Sequence, residues 1–167
     1  MILVGPTVLY DLGMVGELDL LGAFDAELVV PEAAVAEVDV EPAETNVERF
    51  LDEGAVSTAA DTGDFEDDAR TLLGVEGLTA DAVLVAAVLA ARDRGEDVAL
   101  VSDDRRLRAV ADGLGATVTG TFGTVARAAS EDKYFSTAEA KRVVRRTDSQ
   151  GLQMTGQLRE QAVGEVE

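Results

Sequence analysis

A short apolar segment followed at once by acidic residues constrains the fold of this chain more than any other feature. Residues 98–101 read Val-Ala-Leu-Val without a polar interruption, which is typical of a strand buried on both faces of a parallel sheet. Asp103 and Asp104 follow this segment, and a helical pattern of apolar residues begins at Leu107. Because ligands bind at the carboxyl ends of the strands in open α/β sheets, we expect these two carboxylates at a functional edge.

Strands and helices alternate along the rest of the chain. The helix predicted over Thr79–Arg94 is so apolar that it must be buried. The alternation predicts a three-layer α/β fold with a mostly parallel central sheet flanked by helices. We expect one such domain over residues 1–130 and a helical extension over residues 131–167, packed on or beside it, with Ser136 as a helix cap. The further strands are predicted at residues 2–4, 28–30, 55–58 and 116–118.

Composition limits the chemistry that this chain of 167 residues can perform. It contains no cysteine and no histidine, which excludes disulfides, thiolate nucleophiles, Ser-His-Asp triads and imidazole metal sites. It has 33 acidic and 14 basic residues and a formal charge of -19, a balance typical of proteins adapted to high salt. Without an apolar segment long enough to span a membrane, a cytoplasmic location is expected. The chemistry that remains is that of carboxylates with a hard cation such as Mg²⁺ or Mn²⁺.

Four acidic residues are candidates for one metal site at the carboxyl edge of the sheet. Asp81 lies near the start of the buried helix, and Glu37 lies on the helix that Pro31 is expected to begin. Together with Asp103 and Asp104, these carboxylates form a set that can hold Mg²⁺ for phosphodiester hydrolysis. Each also has a purely structural interpretation. Asp103 caps the following helix while Asp104 and Asp81 favour helix dipoles, and Glu37 is one solvated position.

Two groups of residues are candidates for contacts with phosphate. Arg105, Arg106 and Arg108 lie beside the proposed site and can contact an RNA backbone, or they pair with the surrounding acids. The turn Gly120-Thr-Phe-Gly123 precedes a helix, where it either cradles a phosphate or serves as a structural turn. A second basic patch comprises Lys141, Arg142, Arg145 and Arg146.

Several motifs, in order, resemble the PIN domain family of toxin-type (VapC-like) ribonucleases. They are Gly16-Glu-Leu-Asp-Leu-Leu21, Val30-Pro-Glu-Ala-Ala-Val-Ala-Glu-Val38, Asp81-Ala82, Leu100-Val-Ser-Asp-Asp-Arg-Arg-Leu-Arg108 and Thr119-Gly-Thr-Phe-Gly123. The resemblance implies that Glu37, Asp81 and Asp104 are catalytic and bind Mg²⁺ or Mn²⁺, with Asp103 as an auxiliary ligand. It also implies that metal-activated water cleaves RNA, that Ser102 joins the arginines in binding it, and that an antitoxin, another protein or a second copy of the chain is a partner.

The chain departs from the family pattern at its first acidic position. The family's first strand ends in aspartate, whereas this chain reads Val4-Gly-Pro-Thr7, so that Gly5 offers no ligand. Asp11 lies further along the following helix and cannot simply take its place. Two hypotheses therefore remain. The first is a metal-dependent endoribonuclease, attenuated by Gly5, that serves as the toxin of a toxin–antitoxin pair. The second is a catalytically inactive PIN fold that binds RNA or a protein.

Overall fold

One parallel sheet forms the centre of the protein. The computed structural model describes residues 1–131 and 137–149. The sheet has five strands, namely β1 (Ile2–Val4), β2 (Leu28–Val29), β3 (Val56–Ser57), β4 (Ala99–Val101) and β5 (Thr117–Thr119). They lie in the order β3-β2-β1-β4-β5, and every neighbouring pair is parallel. The predicted parallel sheet is confirmed, and β1, β2 and β4 are neighbours.

Helices cover both faces of this sheet. They are α1 (Pro6–Val15), α2 (Glu32–Ala36), α3 (Ala43–Glu53), α4 (Glu66–Leu73), α5 (Ala80–Asp93), α6 (Arg105–Gly113), α7 (Thr121–Glu131) and α8 (Thr137–Ser149), with a 3₁₀ helix at Leu18–Ala23 after α1. Residues alternate between the two faces along β1, where Ile2 and Val4 join one core cluster and Leu3 joins the other. The first cluster includes α1, α3, α7 and α8, and the second includes α4, α5 and α6. The predicted three-layer architecture is therefore confirmed.

Some of the predicted boundaries differ from the structure. The helix α2 ends at Ala36, and Glu37 is its C-terminal cap with a φ of -79°. The prediction that Glu37 lies on this helix is therefore wrong by one residue. Pro31 lies immediately before the helix, at the N-cap position, rather than in its first turn.

The C-terminal segment is described as far as Ser149, where α8 packs on the main body of the fold. Ala140, Val143 and Val144 are buried in the first core cluster with residues of α1 and α7. Ser136 and residues 150–167 lie outside the described residues. The division at residues 130 and 131 stays a prediction.

Within residues 1–131 and 137–149, no helix has the length and apolar character needed to cross a membrane.

Candidate metal and nucleic-acid site

The carboxyl ends of β1 and β4 lie side by side at one edge of the sheet. The Gly5 N–H donates a hydrogen bond of 2.9 Å to the Val101 carbonyl, so the turn after β1 lies directly beside the turn after β4. The second of these turns carries Asp103 and Asp104. Asp81 is the second residue of α5, a helix that packs against α2 and α6. The fold thus places the turn that carries Asp104 beside Gly5 and packs the helix that carries Asp81 in its first turn against α2 and α6.

Electrostatic interactions connect the three principal candidates. Burial raises the pKa of Asp81, the negative charge of Asp104 raises it further, and the Arg106 guanidinium opposes both effects. Burial also raises the pKa of Glu37, with a second contribution from the charge of Asp81. Like charges raise the pKa of a carboxyl only when they are close. Charge interactions thus link Glu37 to Asp81 and Asp81 to Asp104, and we call these three side chains the row of carboxylates.

The row of carboxylates offers the kind of oxygen ligands that a hard cation prefers, but the three side chains do not surround a single point. Carboxylate oxygens are the ligands that Mg²⁺ and Mn²⁺ prefer, and a cation among these three would relieve their mutual repulsion. In the part of the chain that the structure describes, no three acidic side chains are grouped closely enough to hold a metal ion together. The chemistry of the donors therefore suits a hard cation, whereas their spacing does not form a closed site.

Asp104 is the N-cap of α6. Its backbone is extended, and its Oδ1 atom accepts a hydrogen bond of 2.8 Å from the Leu107 N–H. Asp104 therefore caps α6, whereas the structural interpretation of the sequence had Asp103 as the cap. The Asp104 N–H donates to the Ser102 hydroxyl at 3.1 Å. Ser102 is fully buried, so its hydroxyl supports this turn from within the protein.

The side chain of Asp103 is bound at the start of α7. Its Oδ1 atom accepts a hydrogen bond of 2.8 Å from the Thr121 N–H, and its Oδ2 atom accepts the Thr121 hydroxyl. A β-carbon at Gly120 would overlap Asp103 Oδ1, which explains why glycine precedes this helix. Only Gly120 of the predicted turn precedes α7, because Thr121, Phe122 and Gly123 already belong to this helix. The start of α7 thus binds a carboxylate of its own chain, which favours the structural interpretation of this motif.

Asp11 is a buried acid that the sequence analysis did not include in the site. Its side chain is on α1, and the residue is only 5% exposed. Burial raises the pKa of Asp11 to about 8, and its hydrogen bond with Asp103 and the charge of Asp103 add to the effect. One signal was available in the sequence, because Asp11 lies three residues after Val8 and four before Val15, on the apolar stripe of its helix.

Gly5 has an ordinary extended backbone, with φ of -85° and ψ of 165°, and it is the N-cap of α1. No side chain caps this helix. A β-carbon at Gly5 would lie 3.3 Å from the β-carbon of Ser102 and 3.4 Å from its hydroxyl, so a small shift would accommodate it. The missing aspartate therefore does not reflect a backbone conformation that only glycine can adopt.

The arginines beside the site differ in their surroundings. Arg105 and Arg106 are exposed, and Arg108 is half-buried near Gly120. The Arg106 guanidinium donates to the Leu73 carbonyl and also acts on Asp81, so it is partly engaged within the protein. In the second basic patch, Arg146 donates to the Val15 carbonyl at 2.5 Å and pairs with Glu17 at 3.4 Å. Contacts of these arginines with RNA stay a prediction.

Comparison with known proteins identifies the family. A family model described as a PIN domain matches residues 1–167. Neither a search of curated proteins nor a search of solved structures returned a match. The PIN domain family is known for nuclease activity, and its members generally use divalent metals and commonly bind RNA and toxin–antitoxin partners. With its parallel sheet and a match along its whole length, the chain belongs to the PIN domain family.

Proposed function

We propose that this protein is an endoribonuclease that depends on Mg²⁺ or Mn²⁺ and whose activity is attenuated by Gly5. The observation that supports this proposal most directly is the row of carboxylates formed by Glu37, Asp81 and Asp104. Burial and like charge raise the pKa of the first two. Side chains that repel one another at the ligand-binding edge of a parallel sheet favour a bound cation.

Each residue of the proposed site has a distinct task. Glu37, Asp81 and Asp104 would hold the cation, with Asp104 oriented by its hydrogen bond from the Leu107 N–H. When bound, such a cation lowers the pKa of a coordinated water and neutralises charge on a scissile phosphate. The exposed guanidinium of Arg105 can contact the RNA backbone beside these acids.

Gly5 accounts for the proposed attenuation. It lies against the turn that carries Asp104, and as a glycine it has no side chain that could supply a ligand oxygen. With one carboxylate fewer, a hard cation is bound by fewer charges and keeps more water, so its affinity falls. The absence of a tight group of three acids among the described residues is consistent with this reduced site.

The missing acid at Gly5 and the absence of a closed group of three acids among the described residues also favour a second candidate function. A PIN fold without the first acid and without a closed group of carboxylates can serve as a catalytically inactive module that binds RNA or a protein. An antitoxin and a second copy of the chain are the protein partners that we propose. A small neighbouring gene for a DNA-binding protein would favour the toxin–antitoxin role.

A nuclease assay separates the two candidates. Single-stranded RNA would be incubated with the protein in molar KCl with Mn²⁺, with and without a chelator. We expect slow cleavage that requires the metal and disappears in the double variant Glu37→Ala/Asp104→Ala. The double variant Glu44→Ala/Asp112→Ala, which removes two exposed acids elsewhere, is the matched control and should cleave like the parent. Binding of RNA without any cleavage would support the inactive module.

A further inference from the structure

We propose that Asp103 is a positioning residue that fixes the turn carrying Asp104, and that Thr121 and Asp11 hold Asp103 in place. The inference rests on the proposed function, because the orientation of Asp104 matters most if its carboxylate binds a cation. It changes the role expected of Asp103, from an auxiliary metal ligand to a support for the ligand beside it.

The side chain of Asp103 is held from two sides. The Thr121 N–H and hydroxyl donate to its two carboxylate oxygens, one to each. Asp11, which is 5% exposed, lies close enough to Asp103 for the two side chains to interact, and this interaction raises the pKa of Asp11. Thr121 itself is fully buried. These bonds fix the direction of the Asp103 carboxylate towards the start of α7.

The backbone of Asp103 is held as well. Its N–H donates a hydrogen bond of 2.9 Å to the Thr7 hydroxyl on α1. The turn after β4 is thus tied to α1 through its backbone and to the start of α7 through a side chain. Gly120 permits the second connection, because any side chain at that position would overlap the carboxylate.

These contacts determine where Asp104 lies. Asp104 is the next residue, and its own position depends on two hydrogen bonds, from its N–H to Ser102 and from the Leu107 N–H to its Oδ1 atom. If the Asp103 side chain is released, the turn loses its connection to α7. We therefore expect the capping bond at Leu107 to open more often and the remaining Asp104 oxygen to be less well oriented towards Asp81.

Removing one hydroxyl from Thr121 tests this inference. Thr121→Val removes the donor to Asp103 Oδ2 while keeping the shape of the side chain, and Thr121→Ser restores the hydroxyl. Thr147→Val is the matched control, because Thr147 is also fully buried but its hydroxyl donates to carbonyls of α8 at 2.9 and 3.1 Å. Hydrogen exchange of the Leu107 amide is measured by NMR in each protein, under conditions in which all remain folded, and Mn²⁺ affinity is measured by calorimetry.

We expect faster exchange of the Leu107 amide in Thr121→Val, with the parent rate in Thr121→Ser and Thr147→Val. Mn²⁺ affinity should fall in Thr121→Val alone, by less than the roughly 10-fold that loss of a hydrogen bond to a ligand itself costs a metal site, because Thr121 acts through Asp103. Unchanged Leu107 exchange in Thr121→Val, or an equal change in Thr147→Val, would overturn the inference. Faster Leu107 exchange in Thr121→Val alone, together with no Mn²⁺ binding by the parent, would support the positioning role and overturn the proposed function instead.

Discussion

Replacing Asp11 by asparagine should change how the stability of the protein depends on pH. The pKa of Asp11 is about 8 in the folded protein, against 3.8 for an ordinary aspartate, because the side chain is buried and lies against Asp103. Between these two values the folded protein keeps a proton that the unfolded chain releases. The stabilisation from this proton is therefore complete below pH 3.8 and is lost as the pH rises to about 8.

The size of the effect follows from the same linkage. One proton difference changes the free energy of unfolding by about 1.4 kcal/mol for each pH unit, so the loss between pH 5 and 8 reaches up to about 4 kcal/mol. Asparagine resembles a protonated aspartate and keeps a donor for Asp103, but it releases no proton on unfolding. Relative to the parent, Asp11→Asn should therefore gain stability steadily as the pH rises.

Urea unfolding from pH 5 to 8 at a fixed KCl concentration measures this difference. Asp112→Asn, which changes an exposed acid on α6, is the control and should follow the parent at every pH. If the unfolding free energies of Asp11→Asn and the parent differ by a constant amount across this range, Asp11 does not hold a proton in the folded state and the argument from its burial is refuted.

Three further predictions concern the row of carboxylates, the turn at Gly120 and the acidic surface. Asp104→Asn keeps an oxygen that can accept the capping hydrogen bond from the Leu107 N–H but removes a negative charge. It should therefore lower the pKa of Asp81, measured by NMR titration. An unchanged pKa would mean that the two side chains are not close. Gly120→Ala should lower the free energy of unfolding by about 1–3 kcal/mol, because the added methyl group overlaps Asp103. The control Gly113→Ala has open space around it and should be neutral or stabilising by about 0.5 kcal/mol. Equal free energies of unfolding for the two variants would contradict the crowding at Gly120. Because 33 acidic residues repel one another, the melting temperature should fall from molar KCl to dilute buffer, and a flat profile would mean that the acidity is not an adaptation to salt.

The fold could be predicted from the sequence because its strongest signals are local. The apolar segment before Ser102, the alternation along the chain and the apolar helix after Thr79 are each visible over a few residues. Thr79 indeed caps α5, through a hydrogen bond of 3.2 Å from the Ala82 N–H. These patterns specify a parallel sheet and bring the acids to one edge of it.

The details of the site depend on contacts between distant segments, which local patterns do not contain. Two consecutive aspartates follow β4, and either could cap α6 by its position in the sequence. In the structure Asp104 does so, and Asp103 instead accepts hydrogen bonds from Thr121, which lies 18 residues further along. Asp11 was missed for the same reason, because only the packing of α1 against the turn after β4 brings it to Asp103.

The proposed cation site at the edge of the sheet beside Gly5 is weakened by the missing first acid. Gly5→Asp restores that acid at a position with an ordinary extended backbone, where aspartate is also a favourable N-cap for α1. The steric cost is a contact of 3.3 Å with Ser102, which a small shift relieves. Gly5→Asn is the matched control, because it has the same shape and caps the helix without adding a charge.

Calorimetry with Mn²⁺ in molar KCl tests this claim most directly, on the parent, Gly5→Asp, Gly5→Asn and Gly5→Asp/Asp104→Ala. We predict weak binding by the parent, at least about 10-fold tighter binding by Gly5→Asp, and a return to weak binding in the double variant, because affinity follows the number of charged ligands. Gly5→Asn should stay close to the parent. Binding by the parent as tight as that of Gly5→Asp, or no binding by any of the four proteins, would contradict the account.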